Sequence, residues 1–209
     1  MRIACLVAAL LGLAAFGPAA AHPGHGPASA LSALDASVVP IDGAEPLRAT
    51  ALVGTDGKPF AADGLRGRWT VLFFGFTSCT DVCPTTLATL AAVARDPASG
   101  VAEGRTRIVF VTMDPARDTP RKMREYLSAF DKRIVGLTGS AEALRRFAAG
   151  AGADAAEVEG GIDHSTSLFV LDADARPVAV FPHPGNAKRI VADFDALRLA
   201  HAATTARAR

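Results

Sequence analysis

The sequence predicts an α/β fold, a mixed β-sheet flanked by helices on both faces. Short apolar runs of strand length alternate with stretches in which apolar residues recur at helical spacing. The last two strand-like runs enclose a turn-rich pentapeptide at residues 172–176, and a final helical stretch follows them. Two cysteines, Cys79 and Cys83, separate the first strand from its helix. Alternating strands and helices favour a parallel sheet, and the closing hairpin adds antiparallel strands.

The first two strand–helix units are predicted around residues 70–76 and 108–113. The first run is short, apolar and rich in phenylalanine, which is typical of a buried strand. The apolar positions of the following helix are Leu87, Leu90, Ala91 and Val93. The second run ends at Asp114-Pro115, and Thr119-Pro120 then predicts a helix start, because proline is favoured in the first turn. The apolar face of this second helix consists of Met123, Tyr126, Leu127 and Phe130.

The third unit and the hairpin complete the predicted sheet. Residues 134–137 form a strand-like run, and Ser140 is a suitable cap for the helix that carries Leu144 and Phe147. Residues 167–171 and 177–181 are the predicted hairpin strands. The last helix carries Ile190, Phe194 and Leu197 at helical spacing.

The first 21 residues are typical of an export signal. Their apolar core is roughly 14 residues long, shorter than the roughly 20 that span a bilayer. Ala19 and Ala21 supply small residues at a cleavage position, so we expect cleavage after Ala21 and removal of Cys5 with the signal. An uncleaved anchor in the inner membrane is the alternative. Either outcome places the domain in the periplasm.

We expect one domain between a leader and a tail. Residues 22–46 are rich in proline, glycine, alanine and serine without a sustained period, which predicts a flexible leader. Residues 47–199 form the predicted domain, and residues 200–209 a solvated tail. The chain without its signal, about 188 residues, suffices for one core-forming domain and is short for two.

The charge balance disfavours nucleic acid as a partner. The chain has 22 lysines and arginines against 21 aspartates and glutamates, a net charge of +1. Polyanion-binding domains carry a clear basic excess, which this sequence lacks.

Cys79 and Cys83 are suited to sulfur chemistry. Residues four apart lie on one face of a helix, within the range that a disulfide bridges, and the same geometry lets two thiolates hold one soft metal ion. After export they would be the two remaining cysteines in an oxidising space. The spacing and compartment leave three hypotheses: a structural disulfide, a redox-active pair and a metal site.

Three stretches carry a family resemblance. They are Phe-Gly-Phe-Thr-Ser-Cys-Thr-Asp-Val-Cys-Pro at residues 74–84, Asp-Pro-Ala-Arg-Asp-Thr-Pro at 114–120 and Asp-His-Ser at 163–165. Together they resemble the Sco/SenC family of copper chaperones, over roughly residues 51–197. The resemblance implies a thioredoxin-like domain that binds one copper per chain through Cys79, Cys83 and His164. Ser78 and Thr80 depart from the histidine and proline of many relatives, but neither position is a ligand in the family.

The resemblance also implies cargo, partner and location. Two thiolates and an imidazole are a soft donor set suited to Cu(I), and the histidine also tolerates Cu(II). The implied role is assembly of the dinuclear copper centre of cytochrome c oxidase in the periplasm. The partner would be the copper-receiving oxidase subunit or another exported copper protein, with membrane contact only if the signal stays uncleaved.

A second functional class needs only the cysteines. As a thiol–disulfide oxidoreductase, the protein would use Cys79 and Cys83 catalytically. Their dithiol would reduce the oxidised cysteines of the oxidase copper site or of other exported proteins and would itself become a reversible disulfide. Loss of His164 separates the two classes, because it should abolish stable copper binding and leave dithiol exchange nearly unchanged.

Further polar residues have simpler interpretations. Asp114 and Asp118 are expected to end a strand and cap a helix, with a role near the cysteines as the alternative. Asp81 is expected to be a solvated loop carboxylate. His22 and His25 are expected in a solvated leader, with an auxiliary copper-loading site as the alternative.

Overall fold

The computed structural model describes residues 38–153, 157–158, 161–162, 167–182 and 185–207. Several predictions fall outside these residues: the export signal with Cys5, the leader up to residue 37 with His22 and His25, and the third expected ligand, His164. They stay predictions.

The strands and helices alternate as predicted. In chain order the strands are β1 (Val39–Pro40), β2 (Leu52–Gly54), β3 (Trp69–Gly75), β4 (Thr106–Thr112), β5 (Ile134–Gly139), β6 (Glu157–Val158), β7 (Gly161–Ile162), β8 (Leu168–Leu171) and β9 (Pro177–Phe181). The helices are α1 (Val82–Arg95), α2 (Pro120–Ser128), α3 (Ala141–Gly150) and α4 (Ala187–Arg207), with a 3-10 helix at Pro97–Ser99. The predicted cap Ser140 is confirmed, since its hydroxyl accepts from the Ala143 N–H, and the predicted helix start at Thr119-Pro120 is confirmed, with the Thr119 hydroxyl accepting from the Lys122 N–H.

Seven strands form one mixed sheet in the order β1-β9-β8-β3-β4-β5-β2. Strands β3, β4 and β5 are parallel, whereas β8 and β9 form an antiparallel hairpin beside β3. The short strands β1 and β2 close the two edges by antiparallel pairing with β9 and β5. Strands β6 and β7 form a separate antiparallel pair.

The sheet has a buried apolar layer on each face. Because successive strand side chains point to opposite faces, Val71 and Phe73 belong to one layer and Leu72 to the other. Helices α1, α2 and α4 pack on the first layer, and α3 packs on the second through Leu144 and Phe147. The predicted α/β sheet with helices on both faces is confirmed.

The structure moves both predicted domain boundaries outward. The domain begins before residue 47, because Val38 is buried and Val39 pairs with Val180 of β9. Helix α4 continues to Arg207, so residues 200–207 are helical where we expected a solvated tail. The reason is packing at the start of this segment: Ala200 is buried and the His201 ring meets the Trp69 ring edge-on. Beyond it, side chains 202–206 are exposed.

Among the described helices, none combines the length and the apolar character needed to cross a membrane.

Candidate functional site

The cysteine loop lies at the carboxyl edge of the parallel strands. Strand β3 ends at Gly75 and α1 begins at Val82, so Cys79 lies in the connecting loop and Cys83 in the first turn of the helix. The end of β4 is adjacent, because Gly75 pairs with Thr112 and the Met113 N–H donates to the Gly75 carbonyl at 2.8 Å. The loops after β3 and β4 are therefore neighbours at the carboxyl edge of the parallel strands.

The two thiols are free and adjacent. Cys79 is half-buried, whereas Cys83 is buried. The backbone N–H of Cys83 donates to the Cys79 sulfur, with an N···S distance of 3.4 Å. This contact seats the Cys79 sulfur on the amino terminus of α1, where unpaired N–H groups and the helix dipole stabilise negative charge. The start of α1 therefore acts on the Cys79 sulfur.

The same surroundings shift the two thiol pKa values in opposite directions. Burial raises the pKa of Cys79, but the backbone N–H groups of Cys83, Asp81 and Val82 outweigh it, so the pKa lies below the ordinary thiol value. Burial raises the pKa of Cys83 to about 12, and the nearby charges of Cys79 and Asp118 add to that shift. Cys79 is therefore the better nucleophile of the pair.

A glycine at the end of β3 makes room for the Cys83 sulfur. A Cβ atom on Gly75 would lie 2.9 Å from the Cys83 Sγ and 3.0 Å from the Phe110 Cε2. Both distances are below van der Waals contact, so an alanine there would push the sulfur or the ring away. Gly75 thus lets the buried thiol pack directly on the strand backbone.

Asp118 differs from its predicted role as a helix cap. The cap of α2 is Thr119, and the Asp118 carboxylate instead points into the protein, fully buried. It accepts hydrogen bonds from the Thr77 N–H at 2.9 Å, the Thr77 hydroxyl at 2.5 Å and the Thr112 hydroxyl at 2.6 Å. Asp118 therefore joins the cysteine loop to the end of β4.

The other two candidate carboxylates match their simpler interpretations. Asp114 lies just beyond the end of β4, after Met113, and its side chain accepts a hydrogen bond from Arg117 Nε at 2.5 Å. Asp81 is exposed and its side chain makes no capping hydrogen bond to α1.

Tyr126 adds a polar group that sequence reasoning placed on an apolar face. Its ring packs against Phe110 and Phe130, and its buried hydroxyl has no hydrogen-bond partner among the described residues. Burial raises the pKa of Tyr126 to about 12, and the negative charges of Cys83 and Cys79 contribute. The helical period around Tyr126 predicts its burial but not its proximity to the thiols.

The described part of the site supplies two sulfur donors. No group of three or more histidines, cysteines or carboxylates able to hold a metal occurs among the described residues, from which His164 is absent. The segment that carries His164 is followed by β8, whose first residue, Leu168, pairs with Phe73 near the end of β3.

Comparisons with known proteins agree with the motifs. The SCO1/SenC family model matches residues 46–198. Protein sco1 of Schizosaccharomyces pombe is 33% identical over 141 residues, 64% of this chain and 53% of that protein. An SCO2-like protein of Rickettsia prowazekii is 32% identical over 152 residues, 68% of this chain and 72% of that protein. The chain thus spans about half of the fission yeast relative, and 62% of a Stutzerimonas stutzeri relative that is 39% identical.

A solved structure gives the same result in three dimensions. The copper-bound structure of Bradyrhizobium japonicum ScoI is 30% identical and superimposes with a TM-score of 0.59, covering 75% of this chain and 98% of that one. The chain therefore belongs to the SCO1/SenC family and has its thioredoxin-like fold.

Proposed function

We propose that this protein is an exported copper metallochaperone. It binds one copper ion through Cys79, Cys83 and His164 and helps to assemble the dinuclear copper centre of cytochrome c oxidase. The observation that carries the proposal is the pair of free thiols at the carboxyl edge of β3, with the Cys79 sulfur 3.4 Å from the Cys83 nitrogen.

The donor chemistry supports copper as the cargo. Thiolates are soft ligands that select Cu(I), and an imidazole completes a three-coordinate set that can also accommodate Cu(II). The B. japonicum relative was solved with copper bound. Binding requires thiolates, so copper displaces the proton of the buried Cys83.

Chain length supports His164 as the third ligand. His164 precedes Leu168 by four residues, and four residues of chain span at most about 14 Å. Leu168 pairs with Phe73, two residues before the end of β3, so the chain reaches β8 at the edge of the sheet where the cysteine loop begins. This chain length is compatible with His164 as a ligand beside the cysteine loop.

The proposed location and partner follow from the signal-like first 21 residues and from the family. The domain works in the periplasm, released or anchored to the inner membrane. There it meets the copper-receiving subunit of the oxidase or another exported copper protein.

The test is copper stoichiometry on the reduced domain after dialysis against a competing Cu(I) chelator. The native protein is expected to retain one copper per chain, and His164→Ala to lose it. His201→Ala is the matched control, because His201 contacts Trp69 and Asp172 at the opposite end of β3. Native protein that retains no copper, or His164→Ala that retains it fully, would contradict the proposal.

The opposite pKa shifts of the cysteines favour a second candidate function, thiol–disulfide exchange. The Cys79 thiolate would attack a target disulfide, forming a mixed disulfide and releasing one target thiolate. Cys83, once deprotonated, would then attack Cys79, leaving a Cys79–Cys83 disulfide and a fully reduced target. This activity should survive in His164→Ala and disappear in Cys79→Ser, as measured by reduction of a model disulfide.

A further inference from the structure

Asp118 connects three segments at the carboxyl edge of the sheet. Its Oδ2 accepts from the Thr77 N–H and the Thr112 hydroxyl, at 2.9 and 2.6 Å. Its Oδ1 accepts from the Thr77 hydroxyl at 2.5 Å and lies 3.5 Å from the Lys122 ammonium. The cysteine loop, the end of β4 and the first turn of α2 therefore meet at one carboxylate, which we call the Asp118 clamp.

The local fold does not require these side-chain bonds. Thr119 caps α2, and the Asp118 backbone N–H already closes its own turn by donating to the Asp114 carbonyl at 2.9 Å. A buried carboxylate is costly unless it is paired and hydrogen-bonded. Two of its three close hydrogen bonds go to Thr77, 41 positions away in the chain. The clamp thus acts across the fold, on the cysteine loop.

Thr77 controls the position of Cys79. The Cys79 N–H donates to the Phe76 carbonyl at 3.2 Å, so residues 76–79 form a turn with Thr77 as its second residue. Asp118 holds both the backbone and the side chain of Thr77. When the second residue of a turn is held in place, the fourth residue has little freedom to move. Here the fourth residue is Cys79, whose sulfur lies at the amino terminus of α1.

We infer that Asp118 is a positioning residue for the copper site, which holds the Cys79 sulfur beside Cys83 through Thr77. The inference rests on the proposed function, because it concerns the geometry of the same two thiols. Residues that orient metal ligands typically change metal affinity by about 10–100-fold when they are removed. The clamp makes no hydrogen bond to either thiol. Apart from the charge of Asp118, which adds to the raised pKa of Cys83, its effect on copper therefore passes through the loop.

The experiment compares Asp118→Ala with Asp118→Asn. Alanine removes every bond of the clamp. In the asparagine variant the amide oxygen can still accept from the Thr77 N–H and the Thr112 hydroxyl, while the NH2 group donates to the Thr77 hydroxyl. Asp172→Ala is the matched control, because Asp172 is also buried and accepts two backbone N–H bonds, from Asp174 and Arg176 at 2.9 Å each. Asp172 follows β8 beside the start of β3, at the end opposite Cys79.

Three readouts are taken on each variant: Cu(I) affinity by competition with a chromophoric chelator, the sulfur-to-copper absorption band of the Cu(II) form, and the melting temperature. Asp118→Ala is expected to bind Cu(I) about 10–100-fold more weakly and to shift the absorption band. Asp118→Asn should recover most of the affinity and the native band. Asp172→Ala should melt at a lower temperature with native affinity and band.

Several results would overturn the inference. A folded Asp118→Ala with native affinity and band would do so, as would an Asp172→Ala that loses copper equally. If Asp118→Ala does not fold, the Thr77→Ala variant takes its place. This variant loses the hydrogen bond from the Thr77 hydroxyl to Asp118 and keeps the one from the backbone N–H of residue 77. If Thr77→Ala has native Cu(I) affinity while Asp118→Asn binds Cu(I) weakly, the charge of Asp118 matters to copper binding and its positioning of Cys79 does not. Failure of the native protein to bind copper would instead reject the proposed function.

Discussion

The two cysteines, four residues apart, have different chemical environments. Cys79 receives N–H groups from the start of α1 and is half-exposed, whereas Cys83 is buried against Gly75 and Phe110. The sequence predicts the pair and its position between strand and helix, but not this asymmetry. The asymmetry arises because the Cys79 sulfur lies at the amino terminus of α1, whereas the Cys83 sulfur is buried against β3. The conformation of the cysteine loop determines this arrangement.

Cys79 should react with alkylating agents well before Cys83. Its pKa is lowered and its sulfur is accessible, whereas burial raises the pKa of Cys83 to about 12. At about pH 8, iodoacetamide should modify Cys83→Ser, which retains Cys79, at least about tenfold faster than Cys79→Ser. Mass spectrometry of timed aliquots gives both rates. Equal rates, or faster modification of Cys83, would contradict the assigned environments.

Cu(I) affinity should rise with pH. Below about pH 12 the free protein holds a proton on Cys83, which copper must displace, so Cys83 contributes about one power of ten in affinity per pH unit. Cys79 adds to the pH dependence of the Cu(I) affinity only below its own lowered pKa, where it too holds a proton that copper must displace. Chelator competition between about pH 6 and 8 measures the slope, which should fall by about one in Cys83→Ser. A native affinity independent of pH would show that Cys83 does not bind as a thiolate.

Among the elements, strand β3 and helix α1 form the site together. The sequence predicts both, because β3 is a continuous apolar run and α1 has helical periodicity. It does not predict β1 and β2, which have two and three residues and are too short to show a period. These edge strands exist because β9 and β5 offer backbone partners, for example Gly139 opposite Leu52.

Gly75→Ala should disturb the buried thiol as well as the fold. Its Cβ would lie 2.9 Å from the Cys83 Sγ, and overpacking of this kind costs about 1–3 kcal/mol. Gly136→Ala in β5 is the control, because its Cβ would meet Thr55 and Leu127 instead, at 2.5 and 2.7 Å. Denaturant unfolding should show a loss for both variants, and chelator competition should show weaker copper binding only for Gly75→Ala. Equal copper affinity in the two variants would contradict this role for Gly75.

Across the whole molecule, the two ends of β3 differ in their surroundings. The thiols follow its carboxyl end, and at its start Trp69 packs edge-on against His201 of α4, whose Nε2 lies 3.3 Å from the Asp172 Oδ2. Local patterns predict the sheet, its helices and the cysteine pair. They do not predict the Asp118 clamp or the extension of α4, because both depend on contacts between residues far apart in the chain.

Removal of residues 200–209 should lower stability and leave the proposed copper site intact. The truncation deletes the buried Ala200 and the His201 contacts at the end remote from the thiols. We expect a loss of about 1–3 kcal/mol in the free energy of unfolding, with native Cu(I) affinity. Denaturant titration and chelator competition check the two parts. Unchanged stability would mean that the last turns of α4 contribute nothing to the domain.

The most direct test of the central claim is X-ray absorption spectroscopy of the reduced protein loaded with Cu(I). The account predicts one copper per chain with two sulfur ligands and one nitrogen ligand, and loss of the nitrogen ligand in His164→Ala. A spectrum without sulfur ligands, or one that His164→Ala leaves unchanged, would contradict a copper site built from Cys79, Cys83 and His164.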